Sequence, residues 1–424
     1  MKQPLQAVRG MMDILPEEVG KWRFLEETAR SIFQRFGYRE IRTPLLEATE
    51  LFARSIGEAT DIVEKEMYTF YDSKGRSLSL RPEATASIIR AFIQHQLHTT
   101  RDLKFFLIGP MFRHERPQKG RYRQFHQIDV EAFGVRDPIL DAELMFMAVQ
   151  FLQTLGVKDI SLELNTLGCP ICRPQFRSVL QDYLKERTEL LCPDCVRRIT
   201  RNPLRCFDCK VSQCKSALQD APRLIDFVCK DCETHFGHVR SYLDDLGVSY
   251  VVNPVMVRGL DYYVRTAFEI VTQHLGAQNA VGGGGRYDGL MKDLGGPDLP
   301  GIGFALGIER IMLLMDDSRA LYQKPNIDVF MVLLGEAARR KGFLIAQQLR
   351  EAGLSVEMDY EPKSAKSQMR SADKSGAMVS VIIGDDELNQ SVAQIRFMKM
   401  GSQRICELNE LVFELTSILK DQTL

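Results

Sequence analysis

The sequence predicts an α+β protein: one antiparallel sheet with flanking helices, interrupted by a Cys-rich helical insertion and followed by a separate α/β domain. Three observations predict it. Two strand-like segments, LKFFLIGPMFRHE and RQFHQIDVEAFGV, abut a short basic loop, which makes them antiparallel neighbours. Nine of the ten cysteines fall between Cys169 and Cys232. Beyond a linker-like stretch at Gln323–Asn326, apolar strands alternate with amphipathic helices over about 100 residues, within the usual domain range. The expected divisions are 1–168 with 248–322 for the sheet domain, 169–247 for the insertion and 327–424 for the last domain.

The elements follow from periodicity and punctuation. After Asp13 and Pro16, Trp22, Leu25, Ala29, Ile32, Phe33 and Phe36 recur at helical spacing, and Gly37 ends the helix. YREIRTPLLE reads as a strand leading to Pro44, and EKEMYTFYDSKGRSLSLRPE as a hairpin turned at Ser73–Gly75. Pro82 opens a helix carrying Ile88, Ile89, Phe92 and Ile93. A further helix with Leu144, Met145, Ala148 and Leu152 precedes the strand ISLELNTLG. Past the insertion, strands resume in SYVVNPVMV, TAFEIVTQ and AVGGGGRYDG, and a helix after Gly307 holds Ile308, Ile311, Met312 and Leu314. In the last domain IDVFMVLLG, SVEMDY, AMVSVIIG and SVAQIRFM are strands between helices.

The formal net charge is only −1, yet Arg113, Arg116, Lys119, Arg121 and Arg123 crowd into eleven positions of the basic loop. Such concentration calls for a local anionic partner. No run approaches the roughly 18 uninterrupted apolar residues of a membrane span, and MKQPLQAVRG lacks the apolar core of a secretory signal. A cytoplasmic location is expected. GGGGRYDG lacks the lysine of a P-loop and does not read as a strand-to-helix GxGxxG turn, so neither P-loop nor dinucleotide binding has support. There is no GxSxG elbow and no HExxH. What remains is phosphate binding by arginines on an antiparallel sheet.

The cysteines form four CxxC pairs, Cys169/Cys172, Cys192/Cys195, Cys206/Cys209 and Cys229/Cys232, with Cys214 as an additional ligand candidate. In a reducing compartment this pattern reads as metal ligation rather than disulfides. Eight paired thiolates could fill two tetrahedral zinc sites; an iron–sulfur cluster and free thiols are the competing readings. Which pairs share an ion is not fixed by the spacing.

Five motifs in order carry a resemblance over essentially the whole length. Pro44 in IRTPLLE resembles the motif 1 proline of class II aminoacyl-tRNA synthetases, FRHERPQKGRYRQFHQ their motif 2, and GIGFALGIER their motif 3. RGLDYY and GGRYDG resemble the two signatures of the histidyl-tRNA synthetase family. The resemblance implies a class II catalytic sheet of six or seven antiparallel strands and a C-terminal anticodon-binding domain. It also implies a homodimer, whose partners are L-histidine, ATP with Mg²⁺, and tRNA(His). The implied reaction is attack of the histidine carboxylate on the ATP α-phosphate, releasing pyrophosphate, then transfer of histidine to the tRNA 3′ end. A carboxylate needs no general base, so catalysis rests on orientation and charge cancellation.

By match to the motifs, Arg113 holds the α-phosphate and the histidine carboxylate, and Glu115 lies near the adenine amino group. Arg121 and Arg310 lie along the β- and γ-phosphates, Phe125 stacks on adenine, and Arg258 sits over the α-phosphate as the main catalytic residue. Planar guanidinium groups give bidentate phosphate contacts that lysine cannot. Glu83 takes the α-ammonium with Ala84, Thr85 and Gln127 beside it, although Ala84 stands where glycine is expected in many relatives. Glu131 and Tyr263 contact the imidazole nitrogens, and Tyr262 and Tyr287 complete the pocket. Arg116, Gln118 and Lys119 meet the tRNA acceptor end. Lys363, Lys366, Arg370 and Lys374 either take the anticodon stem or form a solvated face.

Blander readings stand beside these. Arg116 or Arg123 taken singly reads as half of a surface ion pair worth roughly 0–1 kcal/mol. Tyr262 or Tyr263 reads equally as a core aromatic, and the glycines at 282–285 as packing devices. A second function class is a synthetase-like regulatory subunit of histidine biosynthesis. Such a subunit generally lacks the C-terminal domain and the catalytic arginines that this chain keeps.

Overall fold

The computed structural model describes residues 5–57, 60, 62–100, 103–260, 262–276, 279–316 and 327–420. The linker at Gln323–Asn326 and Asp261 of RGLDYY lie outside the described residues. The chain divides into two compact units, 1–322 and 323–424.

The first unit opens with α1 (Pro16–Arg35), whose buried face is Trp22, Leu25, Ala29, Ile32 and Phe33. Pro16 suits the first turn because its missing N–H has no helical acceptor to lose. Gly37, at φ +81°, ends the helix as expected, and Tyr38 N–H returns to the Phe33 carbonyl. Where one strand was expected around Pro44 there are two, β1 (Arg39–Glu40) and β2 (Leu46–Ala48), in different sheets. Proline has no N–H for a sheet ladder, so the break falls there. After α2 (Thr49–Ile56), β3 (Thr69–Tyr71) and β4 (Ser77–Leu80) form the expected hairpin. Its turn is closed by Asp72, whose Oδ1 accepts from Lys74 and Arg76 N–H at 2.9 Å. These strands make a small sheet in the order β2-β4-β3.

The main sheet continues through α3 (Thr85–Gln94), β5 (Lys104–Phe112), β6 (Gln124–Phe133), α4 (Ile139–Thr154) and β7 (Ile160–Thr166). The insertion follows as α5 (Arg173–Lys185), α6 (Pro193–Arg201), α7 (Ser212–Ala217) and α8 (Lys230–Asp245). Then come β8 (Tyr250–Val252), β9 (Val264–Thr272), β10 (Ala280–Arg286), α9 (Leu290–Asp293), β11 (Gly301–Gly307) and α10 (Ile308–Met312). The described strands form one eight-stranded sheet, β1-β5-β6-β11-β10-β9-β7-β8. Its six central strands are antiparallel, whereas the short edge strands β1 and β8 pair in parallel. The count exceeds the expected six or seven because of these two edges, each only two or three residues long.

One core lies between this sheet and α1, α4 and α8. Phe33 stacks edge-on against Phe106 and Phe304, with ring centroids 5.4 and 6.2 Å apart. Phe236, Val239 and Leu243 of α8 join the same cluster, so the last helix of the insertion packs as part of the sheet domain's core. The opposite face holds α3, the Cys-rich pieces and the cavity described below.

The second unit contains β12 (Val329–Leu333), α11 (Glu336–Glu351), β13 (Val356–Met358), α12 (Ala365–Ser375), β14 (Val379–Ile383), α13 (Asp385–Asn389), β15 (Val392–Phe397), β16 (Gln403–Glu407) and α14 (Leu411–Lys420). The sheet order is β13-β12-β14-β15-β16, parallel across the first three strands and antiparallel across the rest. Every residue of β12 is buried, as a strand covered on both faces requires.

Candidate active site and thiolate clusters

Strand β6 turns Gln127, Asp129 and Glu131 toward one face, two residues apart, and its neighbours β5 and β11 hold them in register. These three line a cavity of about 350 Å³. The same walls include Glu83, Thr85, Arg113, Glu115, Arg121, Phe125, Arg258, Tyr262, Tyr263, Tyr287 and Arg310, so nearly all the residues chosen from the motifs converge. Ala84 is the exception on this wall. It caps the start of α3 and is fully buried in the apolar cluster behind the cavity.

Glu83 sits at the N-terminus of α3, where its carboxylate accepts from Thr85 N–H at 3.0 Å and Ala86 N–H at 2.9 Å. Thr85 Oγ1 in turn donates to Glu131 at 2.5 Å, and Tyr287 OH donates to the other Glu131 oxygen. Tyr262 lies edge-on to Tyr287, with centroids 5.7 Å apart, and 4.7 Å from Tyr263. Both RGLDYY tyrosines therefore face the cavity. Burial pushes Glu83 up and Asp129 and Glu131 well above the usual carboxyl range. Burial likewise pushes Tyr262 and Tyr287 far up.

Arg113 joins this carboxyl group to an aromatic face. Its Nε donates to the Pro82 carbonyl at 2.8 Å, next to Glu83, while its guanidinium lies 5.3 Å from the Phe125 ring centre. Arg258 pairs with Glu269 and lies over the Tyr263 ring. Burial acts to lower the Arg258 pKa, but Glu269 and then Tyr263 more than offset it and hold the guanidinium charged. Arg121 is ion-paired to Glu115. Glu309 accepts from His126 N–H at 2.9 Å, which fixes the approach of α10 and of Arg310 to β6. Gln127 Oε1, Asp129 Oδ2 and Arg258 Nε are buried without hydrogen-bond partners, as expected of groups meant for a ligand.

Asp129 and Glu269 were missed in the sequence. Asp129 had a signal: it falls between Gln127 and Glu131 in strict alternation on a strand. Glu269 had none, because its role depends on β9 meeting Arg258 from a different segment. Arg116, Gln118 and Lys119 lie apart from the cavity, exposed at the β5–β6 hairpin tip. The tip is closed by Gln118 N–H to Arg121 O at 3.0 Å and the reverse bond at 2.9 Å.

The insertion gathers eight sulfurs into two groups, Cys169/Cys172/Cys229/Cys232 and Cys192/Cys195/Cys209/Cys214, each within 4.8 Å of one another. Cys206 stays outside, correcting its pairing with Cys209. It ends a short 3₁₀ turn that aims its Sγ at the Cys195 carbonyl, 3.6 Å away, and burial pushes its thiol up to about 11. Cys214 fills the fourth corner instead. Sγ–Sγ distances of 3.5 to 3.9 Å exclude disulfides, whose sulfurs are about 2.05 Å apart. They match the roughly 3.8 Å that four sulfurs adopt at 2.3 Å from a single tetrahedral ion. One thiol in each quartet is brought down to about 7. For Cys169, burial is outweighed by backbone N–H donors from Cys172 and Ile171; for Cys192, the Cys195 N–H leads.

Holding phosphates with arginines on an antiparallel sheet, with a basic hairpin beside the cavity, is the arrangement of a class II aminoacyl-tRNA synthetase. The family model described as histidyl-tRNA synthetase matches residues 10–181 and 199–311, and one described as anticodon binding domain matches 328–418. The histidine–tRNA ligase of Solidesulfovibrio magneticus is 53% identical over 94% of both chains. That of Halothermothrix orenii is 49% identical over 98% of this chain and 100% of its own. Apo histidyl-tRNA synthetase from S. aureus superposes with a TM-score of 0.83 at 35% identity, covering 97% of this chain and 100% of that one. The chain belongs to the histidyl-tRNA synthetase family.

Proposed function

We propose that the cavity activates L-histidine with ATP, giving histidyl-adenylate and pyrophosphate, and that the same site passes histidine to the 3′ end of tRNA(His). The observation that carries this reading is the position of Arg113, with the Glu83 carboxylate on one side and the Phe125 ring on the other. A guanidinium there is suited to hold an α-phosphate between an amino acid and a stacked adenine.

In this reading Glu83 and Thr85 take the α-ammonium, with Gln127 alongside. Glu131, Tyr263 and Tyr287 address the imidazole, with Tyr262 completing the wall. A pocket whose buried polar groups need both ring nitrogens rejects analogues lacking them by roughly 10⁴-fold. Arg258, charged and close to Glu269, neutralises the α-phosphate as it becomes pentacoordinate in the transition state. Arg121 and Arg310 follow the β- and γ-phosphates, which requires Arg121 to exchange Glu115 for phosphate and frees Glu115 for the adenine amino group. Mg²⁺ fits as an ion carried by the phosphates, because the nearby carboxylates Glu269 and Glu309 are already tied to Arg258 and His126 and Glu115 is turned to the adenine amino group. When bound, it supplies further charge neutralisation on the polyphosphate.

The hairpin tip with Arg116, Gln118 and Lys119 meets the acceptor end, and the C-terminal unit takes the anticodon stem through Lys363, Lys366, Arg370 and Lys374. A homodimer is supported by the exposed Leu45, Leu46, Phe70 and Tyr71 on and beside the small sheet next to Pro44. Zinc in the two sulfur quartets is favoured over an iron–sulfur cluster by spacing that suits one tetrahedral ion each. The site of action is the cytoplasm; among the described residues, no helix is long and apolar enough to cross a membrane. The regulatory-subunit reading is disfavoured by the matched anticodon-binding domain and by the cavity arginines.

ATP–pyrophosphate exchange across a panel of amino acids tests this directly. Exchange with histidine alone is expected; histidine binding without any exchange would move the chain to the regulatory class.

A further inference from the structure

Each sulfur quartet carries an arginine that reaches the histidine signature. Arg173 directly follows Cys172; its Nε donates to the Leu167 carbonyl at 2.9 Å and its Nη2 to the Tyr263 carbonyl. Arg205 lies between Cys195 and Cys209, and its Nη1 donates to the Arg258 carbonyl at 2.9 Å. Arg205 is itself braced by Asp208 at 3.2 Å, and its carbonyl accepts from Arg198 of α6 at 3.1 Å. The backbone at both ends of RGLDYY is thus held by guanidinium groups rooted in the two quartets.

Arg173 opens the thirteen-residue α5, whereas Arg205 sits in the four-residue 3₁₀ turn Pro203–Cys206 between α6 and α7. Helix α6 has nine residues and α7 six, below the length at which helices persist without tertiary support. The first quartet joins segments 60 residues apart and the second joins α6 to α7, so an ion in each would tie these segments together in addition to the buried apolar contacts of Phe176, Leu180 and Ile199.

We propose that metal in the two quartets positions Arg258 and Tyr263, through Arg205 and Arg173, and thereby sets the affinity for histidine. The inference rests on the quartets holding zinc. Arg173 and Arg205 are positioning residues: they touch the main chain of Arg258 and Tyr263 and none of the reacting atoms.

The test begins with full-length protein purified under reducing conditions without chelators, analysed for metal. It continues with Arg205→Ala, Arg205→Lys and Cys209→Ser in pyrophosphate exchange, and with hydrogen exchange of the peptides spanning 256–264. Two zinc ions per chain are expected. Arg205→Ala should keep both ions, yet raise the histidine KM roughly tenfold, the equivalent of one charge-assisted hydrogen bond lost from the segment that carries Arg258. The exchange kcat should fall as well, because Arg258 faces the α-phosphate, and lysine should partly restore both. Cys209→Ser should lose one zinc ion and show the same rise. Chelation should speed exchange in the 256–264 peptides before those of β5 and β6, and added zinc should reverse it. Two zinc ions in the unaltered protein and one in Cys209→Ser, with an unchanged histidine KM in Arg205→Ala and in Cys209→Ser, would overturn the coupling and leave the metal sites standing. Less than one zinc ion in active protein would overturn the metal reading and the coupling with it.

Discussion

The Arg286 guanidinium and the Asp141 carboxylate meet at 2.6 Å with neither side chain exposed. Arg286 precedes Tyr287 in the second histidine signature, and Asp141 also accepts from His235 of α8 at 2.9 Å. Arg286 further donates to the Val135 and Asp137 carbonyls, both at 3.0 Å, so its donors are satisfied on three sides. Removing one partner strands a buried charge. Arg286→Met should lose about 3–5 kcal/mol of stability by urea denaturation. A loss below about 1 kcal/mol would mean water reaches the pair.

Arg258→Ala should slow histidine-dependent pyrophosphate exchange by about 10²–10³-fold, the usual scale for removing one preorganised charge donor. Arg258→Lys should recover only part of it, because an ammonium cannot span two oxygens with a planar fork. Wild-type activity in both variants, measured at saturating histidine, would place Arg258 outside the chemistry.

The three buried carboxyls of the pocket give a signed pH response. Burial raises Glu83, Asp129 and Glu131 above their unfolded values. Their contribution to the stability of the ligand-free fold is therefore full below the ordinary carboxyl range and is lost as pH rises through the raised values. Asp129→Asn should flatten the decline in melting temperature that sets in as pH rises above the ordinary carboxyl range. Histidine brings an ammonium that favours the ionised carboxyls, so binding should release protons. Calorimetry in two buffers of different ionisation enthalpy reads this, and identical heats in both would contradict it.

Replacing Arg116, Gln118 and Lys119 together by alanine should raise the KM for tRNA in aminoacylation and leave pyrophosphate exchange intact, since these three exposed side chains do not line the cavity. The salt dependence of tRNA binding should also become shallower, as two cationic contacts are removed. A loss of exchange in this variant would show that the tip shapes the ATP site.

Much of this arrangement was legible because local chemistry dictates it. The basic hairpin and the α1 face follow from period and charge, while Gln127 and Glu131 of β6 were reached through the motif they resemble and Asp129 between them was passed over. What could not be read depends on contacts between distant segments. The Cys206–Cys209 spacing imitates a ligand pair, yet the 3₁₀ turn ending at Cys206 points its sulfur at a carbonyl and leaves the corner to Cys214. The parallel edge strands β1 and β8 are too short to leave a periodic signal. Glu269 becomes significant only when β9 brings it to Arg258.

The glycine run of β10 has a consequence for inheritance. A Cβ at Gly282 or Gly284 would stand 2.3 Å from Ala305 O or 2.0 Å from Gly303 O, and one at Gly283 or Gly285 would stand 2.5 Å from Phe268 O or Thr266 O. Every missense change in a glycine codon adds a Cβ. Four adjacent codons therefore have no tolerated neighbour, and the segment can drift only through synonymous changes or through simultaneous retreat of the strands on either side.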